Sequence, residues 1–416
     1  MPVSDLNSKL KIFIIAGEVS GDVIGGGIIN AFRKNAKRFR PAPLTPLCKG
    51  GGNSAVFETK GAILRGIGGE NMKRAGLKSI FPIHDLAVMG IFDVLARART
   101  LTRRINQTVD AIIEFNPDIV LTIDSPGFAE RVIKKIKKKS CGKVPKFYHV
   151  VAPQVWAWRE GRSKKYAQLF DRLYCFFDFE RPYFERHGLE TVTIGHPRAY
   201  ELMNIEQITN NKKKHGKNIV LIPGSRMGEV KKNLPEMLDA ADILYGLNPG
   251  VKFSIPVVET TEKFVRESVK KSRVDIEIIP SKDRYKIYGA ADVAVATGGT
   301  VTAELAMLHV PTVVVYKSGI LMKVLARLLI KTKWVSLVSI LLKRTVYPEI
   351  LGPDANAKNI SQIANKLLND KTVRNMMIKD LKAADKLWGG NCLSDEIIRY
   401  DIDSIFDRIV RRDGKE

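Results

Sequence analysis

The sequence predicts an α/β protein made of two doubly wound domains, each built on a parallel sheet. Two segments open alike: Lys11–Asp22 (KIFIIAGEVSGD) and Asn218–Glu229 (NIVLIPGSRMGE) each place a short apolar strand before a Gly/Ser turn, an acidic residue and helix-compatible sequence. A strand without polar alternation is typical of a parallel sheet that is covered on both faces. Since each half of the 416-residue chain has one such opening, we expect two domains of similar size.

Further strands alternate with helices in both halves. In the first half, Asp118–Asp124 and Lys146–Val151 predict strands, and Phe128–Lys139 predicts a helix. The second half holds four predicted strands and two predicted helices: Lys252–Val257, Ile276–Ile279, Val293–Ala296 and Thr312–Tyr316, with Leu234–Leu247 and Thr302–Leu308. Doubly wound sheets bind ligands beyond the carboxyl ends of their strands. We therefore expect two domains that face each other across a cleft, with the site inside it.

Two segments break this pattern and set the domain boundaries. Pro41–Ile63 holds three prolines and a glycine triplet, which predicts an inserted surface loop. Residues 203–217, rich in lysine and asparagine, predict a linker. The first domain is therefore expected at residues 1–202 and the second at residues 218–385.

Composition indicates a cytoplasmic protein with an anionic partner. No stretch approaches the roughly 18 uncharged apolar residues of a membrane span, and the first residues form no secretory signal. The 68 Lys and Arg against 44 Asp and Glu give a net charge of +24. This charge favours a nucleic acid, a phosphorylated substrate or an acidic lipid surface, although solvated lysines alone give the same balance. The four cysteines are far apart, which argues against a disulfide framework or a zinc site.

The turn Gly224-Ser225-Arg226 of the second half predicts an anion site. It places an arginine at a helix N-terminus, where the helix dipole, free amides and a guanidinium converge on one point. A diphosphate suits this arrangement. The alternative is an ion pair between Arg226 and the neighbouring Glu229.

A second turn, Gly298-Gly299-Thr300, follows the predicted strand Val293–Ala296. Glycines let a phosphate approach the helix start, where amides and hydroxyls can satisfy its oxygens. Glu304 lies one helical turn further on, where it can accept hydrogen bonds from ribose hydroxyls. Because the sequence has no P-loop motif, a nucleotide held by its diphosphate and ribose fits best.

The first half offers candidates for the other side of the cleft. Asp124 ends a strand before a Pro-Gly break, where its carboxylate can act as a general base or simply form the turn. His196 follows another predicted strand, although a lone histidine is as often structural. No Asp-x-Asp motif or cluster of His and carboxylates indicates a metal site.

Two further segments suggest contact with sugars or lipid. Trp156 and Trp158 lie beside Arg159, and aromatic rings interleaved with arginines stack on bases or sugars or rest at a lipid interface. Lys317–Tyr347 is apolar and basic without an acidic residue. It fits an interfacial surface that touches acyl chains and anionic headgroups, with a buried helix flanked by basic residues as the alternative.

In this order, the motifs resemble those of the lipid-A-disaccharide synthase family of inverting glycosyltransferases. The matching runs span about residues 11–352 and are AGEVSGD (Ala16–Asp22), GIGGENM (Gly66–Met72), LAVMGIFDVL (Leu86–Leu95), IDSPGF (Ile123–Phe128), APQVWAWR (Ala152–Arg159), IGHP (Ile194–Pro197), IPGSRMGEV (Ile222–Val230), GTVTAEL (Gly299–Leu305), WVSL (Trp334–Leu337) and PEIL (Pro348–Leu351). Ser339, Gly352 and Asp93 depart from the family pattern.

The resemblance implies two Rossmann-like domains of glycosyltransferase-B type, with a C-terminal helix at residues 386–416 that crosses back to the first domain. It implies transfer of 2,3-diacylglucosamine from UDP-2,3-diacylglucosamine to 2,3-diacylglucosamine 1-phosphate, giving the β-1,6-linked disaccharide 1-phosphate and UDP, with no cofactor or metal. Asp124 and Arg226 are the implied catalytic residues, and Glu304 is the implied nucleotide-side glutamate. The acceptor side of the cleft is expected to contain Glu18, Ser20, Gly21, Met89, Gly90, Trp156 and His196.

The expected partners are these two substrates and the anionic inner face of the cytoplasmic membrane, to which the protein would attach peripherally. No nucleic acid is expected, and a homodimer is left open. Two alternatives remain from the residues themselves. One is another UDP-sugar enzyme of the same fold with a different acceptor, and the other is a non-enzymatic basic protein that binds membrane or nucleic acid.

Overall fold

The computed structural model describes residues 10–35, 57–58, 62–86, 98–139, 144–203, 217–318, 332–389 and 397. Met89, Gly90, most of the predicted inserted loop, linker residues 204–216, residues 319–331 and most of residues 386–416 lie outside the described residues.

Strands β1 to β13 are, in chain order, Leu10–Ala16, Phe57–Glu58, Ala62–Ile67, Ile119–Ile123, Lys146–Val150, Arg172–Cys175, Glu190–Thr193, Asn218–Ile222, Lys252–Val257, Ile276–Pro280, Val293–Thr297, Thr312–Tyr316 and Glu349–Leu351. Helices α1 to α14 are Val19–Asn35, Glu70–Arg74, Ala98–Phe115, Pro126–Lys139, Arg162–Leu169, Pro182–Glu185, Pro197–Met203, Met227–Leu247, Glu259–Val269, Arg284–Ala290, Thr300–Met307, Leu337–Leu342, Ala357–Asn369 and Lys371–Ala383.

The chain divides into two compact units, each built on one sheet. Of the described residues, the first unit contains those up to Val155, then Arg159–Pro197 and Ile397. The second contains Trp156–Trp158 and the described residues from Arg198 to Gly389. The transition between the two units therefore falls at the start of α7.

The first sheet has the order β2-β3-β1-β4-β5-β6-β7, and its neighbouring strands are parallel except for β2 and β3. Phe13 and Ile15 on β1 pack with buried residues of α3 and α4, whereas Ile12 and Ile14 pack with α1. Both faces of the sheet are therefore covered, which is why the central strands β1 and β4 are almost entirely apolar. Ile397 is buried in the same cluster as α1.

The second sheet has the order β10-β9-β8-β11-β12-β13 and is parallel throughout. Helix α8 packs along α13. Another cluster joins Val220 of β8 and Ala294 of β11 to Tyr288 of α10 and Leu305 of α11. The predicted fold class, two doubly wound parallel α/β sheets, is confirmed.

One boundary predicted from the sequence is wrong. Ala62 and Ile63, assigned to the inserted loop, are buried residues that begin β3. The strand is hard to recognise because Arg65 interrupts its apolar run. This arginine is nevertheless buried, and its Nη1 pairs with Glu114 Oε2 at 2.8 Å, so the charge is compensated by a residue far away in sequence.

No helix in the described part of the chain is long and apolar enough to cross a membrane.

Candidate active site

The first unit has a topological switch point between β1 and β4. The chain passes from β1 to β3 on one side, and β4 then adds on the other side of β1. The turns that follow β1 and β4 therefore lie side by side at the carboxyl edge of the sheet. This is the position where doubly wound sheets bind their ligands.

Two glycines let the start of α1 lie directly on the end of β4. A Cβ at Gly17 would lie 2.2 Å from Ser125 Cβ, and a Cβ at Gly21 would lie 3.0 Å from the carbonyl oxygen of Ile123. Gly17 and Gly21 are thus required by close packing between the two turns.

Asp124 is held between these turns and is partly exposed. One carboxylate oxygen, Oδ1, accepts a hydrogen bond from the backbone N–H of Ser125 (2.8 Å), and the other, Oδ2, accepts one from Ser20 Oγ (3.0 Å). The first contact is that of a turn-forming aspartate, and the second fixes the carboxylate against the turn after β1. Asp124 and Ser125 both have positive φ, 56° and 47°, and such strained positions cluster at functional sites.

Asp22, the acidic residue of the first Gly/Ser turn, is buried and structural. Its Oδ1 accepts from the N–H groups of Gly69 and Met72, and its Oδ2 accepts from the backbone and side-chain nitrogens of Asn71, all within 3.0 Å. The carboxylate therefore satisfies the free amides at the start of α2, where a negative charge is favoured.

The other predicted residues of this half are more dispersed. Glu18 is exposed. His196 follows β7, and its ring packs against Phe176 and Phe177 with centroids 5.5 and 6.0 Å apart. Trp156 is half-buried and belongs to the second unit.

The second unit has its own switch point, between β8 and β11. From β8 the chain continues to β9 and β10 on one side, and β11 adds on the other. The turn Gly224-Ser225-Arg226 follows β8, and Gly298-Gly299 follows β11. The two turns predicted to hold a diphosphate therefore end neighbouring strands.

The first of these turns requires glycine at its start. Gly224 has φ 114°, and a Cβ there would lie 2.9 Å from Glu229 Cβ. Arg226 Nη1 contacts Glu229 Oε1 at 3.0 Å, the pairing considered as the alternative from sequence, but the arginine side chain stays 67% exposed. Its guanidinium thus lies at the surface, and Arg226 is the N-cap residue that directly precedes α8.

In the second turn, Gly299 and Thr300 are exposed, whereas the Thr302 hydroxyl is turned inward and donates to the carbonyl oxygen of Gly299 (2.7 Å). A Cβ at Gly298 would lie 3.0 Å from Val335 Cγ1, so this glycine lets the segment before α12 approach the turn. The exposed surface of the turn is therefore backbone and one threonine.

Glu304 contacts two arginines that no sequence motif indicates. Its Oε2 lies 3.2 Å from Arg284 Nε, and its Oε1 lies 3.8 Å from Arg198 Nε. Burial opposes the charge of the Arg284 guanidinium, but the hydrogen bond to Glu304 and the charge of Glu304 outweigh it, and the pKa of Arg284 is raised. Burial and the Glu304 charge raise the pKa of Tyr285 to about 12.

Among the described residues, no group of three or more His, Cys, Asp or Glu side chains could hold a metal ion.

The chain matches the family model described as lipid-A-disaccharide synthetase over residues 12–402. It is 34% identical to the lipid-A-disaccharide synthase of Rhodospirillum centenum, with 89% of this chain and 88% of that protein covered. Identity to the enzyme of Gluconobacter oxydans is 36%, with 86% and 81% covered. The chain belongs to the lipid-A-disaccharide synthase family.

Membership of this family makes the protein a glycosyltransferase of lipid A biosynthesis, and the predicted hexosyltransferase activity is confirmed. A solved structure of UDP-GlcNAc 2-epimerase from Neisseria meningitidis, bound to UDP-GlcNAc, has a TM-score of 0.58 at 11% identity and covers 95% of this chain and 100% of that one. The predicted glycosyltransferase-B fold type is likewise confirmed.

Most of the predicted site residues fall into two groups, one in each unit, and the members of each group are neighbours. Ser20, Gly21 and Asp124 meet at the first switch point, and the turns around Arg226 and Gly299 meet at the second. Sequence reasoning missed Arg284 and Arg198, which hold Glu304, because neither lies in a recognisable motif. Ser339, which departs from the family pattern, has a structural role. Its buried hydroxyl accepts a hydrogen bond from the backbone N–H of Val346 (3.1 Å).

Proposed function

We propose that the protein transfers 2,3-diacylglucosamine from UDP-2,3-diacylglucosamine to 2,3-diacylglucosamine 1-phosphate, producing the β-1,6-linked disaccharide 1-phosphate and UDP. The main support is that each candidate group of residues lies at the switch point of its own sheet. One switch point offers a carboxylate and the other offers exposed amides with an arginine. These are the groups that an acceptor hydroxyl and a departing diphosphate require, respectively.

In the proposed donor site, Arg226 and the amides of both turns contact the diphosphate. The present partner of Arg226 is Glu229, three residues away on an exposed surface. Such pairs contribute about 1 kcal/mol or less, so a diphosphate with two charged groups can displace Glu229. The released guanidinium would then donate to phosphate oxygens in the two-pronged geometry that arginine favours.

Glu304 is proposed to accept hydrogen bonds from the ribose hydroxyls. Its two carboxylate oxygens have more acceptor positions than the contacts from Arg284 and Arg198 use. The two arginines hold the carboxylate in a fixed direction. The ribose would therefore bind a preoriented acceptor group, which lowers the entropy lost on binding.

In the proposed reaction, the acceptor's 6-hydroxyl oxygen attacks the anomeric carbon and Asp124 takes its proton. The bond from that carbon to the β-phosphate oxygen breaks, and its electron pair leaves with UDP. Attack from the opposite side inverts the anomeric centre. Arg226 and the turn amides stabilise the charge that develops on UDP, the kind of preorganised electrostatic contribution that dominates many enzymes.

Peripheral attachment to the inner face of the cytoplasmic membrane is part of this proposal, because both substrates carry acyl chains. The central part of the basic apolar stretch, with Lys323, Arg327 and Lys331, lies outside the described residues. Of its described cations, Lys317 is paired with Glu236 and Arg344 with Asp380. Those two residues are therefore weaker candidates for lipid contact than the three in the central part.

The test is UDP release by the full-length protein with both acylated substrates, followed by mass analysis of the disaccharide. Product formation with the acylated acceptor and none with soluble or polyprenyl acceptors is expected. Turnover that prefers a different acceptor would overturn the acceptor assignment while keeping the family's donor chemistry.

A further inference from the structure

Asn233 is a buried amide behind the second candidate site. It lies in the second turn of α8 and is 1% exposed. Its Nδ2 donates to Thr297 Oγ1 (3.2 Å), and its Oδ1 accepts from the backbone N–H of Lys317 (2.8 Å). Thr297 ends β11 and Lys317 follows the end of β12, so one side chain connects α8 to two neighbouring strands.

Glu236, on the next turn of α8, strengthens the same connection. Its Oε1 contacts Lys317 Nζ at 2.6 Å, and its Oε2 accepts from the backbone N–H of Ala357 at 2.9 Å. Lys317 is therefore bound through its backbone by Asn233 and through its side chain by Glu236. Since Ala357 begins α13, the network also fixes that helix.

These contacts connect the helix that follows the first diphosphate-binding turn to the strand that precedes the second. Helix α8 begins directly after Arg226, and Thr297 directly precedes Gly298-Gly299. The distance between the turns thus depends on how α8 is seated on the ends of β11 and β12. An apolar side chain of the same size would fill the volume but leave the Lys317 N–H without its acceptor, and buried polar groups without partners are costly.

We propose that Asn233 is a positioning residue that sets the spacing of the two diphosphate-binding turns through Thr297 and Lys317. The inference rests on the proposed function, because it assumes that those turns bind UDP. Asn233 does not itself contact the substrate. Its effect on UDP is transmitted through the last residue of β11.

The same helix offers a matched control. Asn248 directly follows α8 as its C-cap residue and is 4% exposed. It donates to the carbonyl oxygen of Leu244 (3.2 Å) and to Asn365 Oδ1 (2.8 Å), and its Oδ1 accepts from Lys217 Nζ (2.8 Å). Lys217 precedes β8, so this amide network lies at the opposite edge of the sheet from the turns.

The experiment measures UDP binding to the full-length protein by titration calorimetry, together with kcat/KM and melting temperature. Asn233→Leu should weaken UDP binding and lower kcat/KM by about tenfold or more, since small misplacements of binding groups have effects of this order. Asn248→Leu should lower the melting temperature comparably and leave the Kd for UDP near the wild-type value.

Thr297→Val supplies an independent variant that removes the other end of the amide contact. It should weaken UDP binding in the same direction, and the double variant should be less affected than the sum of the two single changes, because they act through one contact. Additive effects would contradict transmission through Thr297. Should Asn233→Leu fail to fold, the Kd of Thr297→Val decides alone.

The outcomes separate the inference from the function on which it rests. If UDP binds the wild type and Arg226→Ala weakens it, but Asn233→Leu and Asn248→Leu have equal effects on Kd, the positioning role is overturned and the site assignment stands. If the wild type does not bind UDP, both the assignment and the inference are wrong.

Discussion

The change Asp124→Asn removes a charge from the first switch point while preserving its structure. Asparagine tolerates the left-handed backbone that Asp124 adopts (φ 56°). Its oxygen can accept from the Ser125 N–H as Oδ1 does now, and its NH₂ group can donate to Ser20 Oγ in place of the present reverse contact. Because both contacts have a replacement, the free energy of unfolding should change by only about 1 kcal/mol.

The chemical effect should be much larger. An amide cannot take the proton from the acceptor hydroxyl, and loss of a positioned general base typically lowers turnover about 10²- to 10⁴-fold. This corresponds to roughly 3–5 kcal/mol of activation free energy. The loss should fall on kcat, with little change in KM for the acceptor.

The assay is UDP release at saturating donor and acceptor, with urea denaturation of the same preparations. Asp118→Asn is the control. Asp118 directly precedes β4, whereas Asp124 directly follows it, and Asp118 Oδ2 accepts a hydrogen bond from the Lys11 N–H at the opposite edge of the sheet. A normal kcat with a raised acceptor KM in Asp124→Asn would show that Asp124 positions the acceptor. Normal values of both would remove it from the site.

Four further outcomes are expected. Arg226→Ala should lower kcat about 100-fold with little change in melting temperature. The control is Arg266→Ala, which loses a similar exposed pair with Glu262 and should retain activity. A fully active Arg226→Ala would refute the role of this arginine in stabilising the leaving group. Activity should persist in EDTA, because Arg226 and the turn amides are expected to carry the developing charge; inactivation reversed by Mg²⁺ would contradict this. Vesicles of anionic lipid should sediment the protein at low salt, since each basic residue near such a surface contributes about 1 kcal/mol. Changing Lys323, Arg327 and Lys331 to Glu should weaken this binding, and equal binding by the triple variant would show that these three cations do not contact lipid. Burial lowers the pKa of His149 from 6.5 to about 3. Between these two pH values the unfolded state binds a proton that the folded state does not, so the free energy of unfolding falls as the pH falls. Urea denaturation of His149→Gln should show a weaker fall, and an unchanged pH dependence of the unfolding free energy would reject this explanation.

The strands could be predicted wherever their signal is local. Thr312–Tyr316 and Lys252–Val257 were predicted with the bounds that β12 and β9 have, because turn residues or polar residues flank a short apolar run. β3 was assigned in part to a loop, because Arg65 is neutralised by Glu114, 49 residues away. Pairing over that distance leaves no trace in a local pattern.

The candidate site divides in the same way. Gly224, Arg226 and Gly298 could be found because the chemistry of a strand–turn–helix junction is written in consecutive residues. The ion pair of Glu304 could not be predicted, because its partner Arg284 is 20 residues away on another helix. Asn233 carried no signal either: a lone asparagine in a helix shows its role only when the strand ends beneath it are known.

The close packing at Gly17 and Gly21 affects how mutational screens of this enzyme would be interpreted. A side chain at position 17 would displace Ser125 and, with it, the turn that holds Asp124. A saturation screen scored by activity would therefore group these glycines with the catalytic residues, although neither has a side chain to offer a substrate. Scored instead by the amount of folded protein, the same library would group them with the core residues of α1 and β4. Sensitivity in the first glycine turn thus reports how closely a helix is seated on a strand, and only a comparison of the two scores separates that from chemistry.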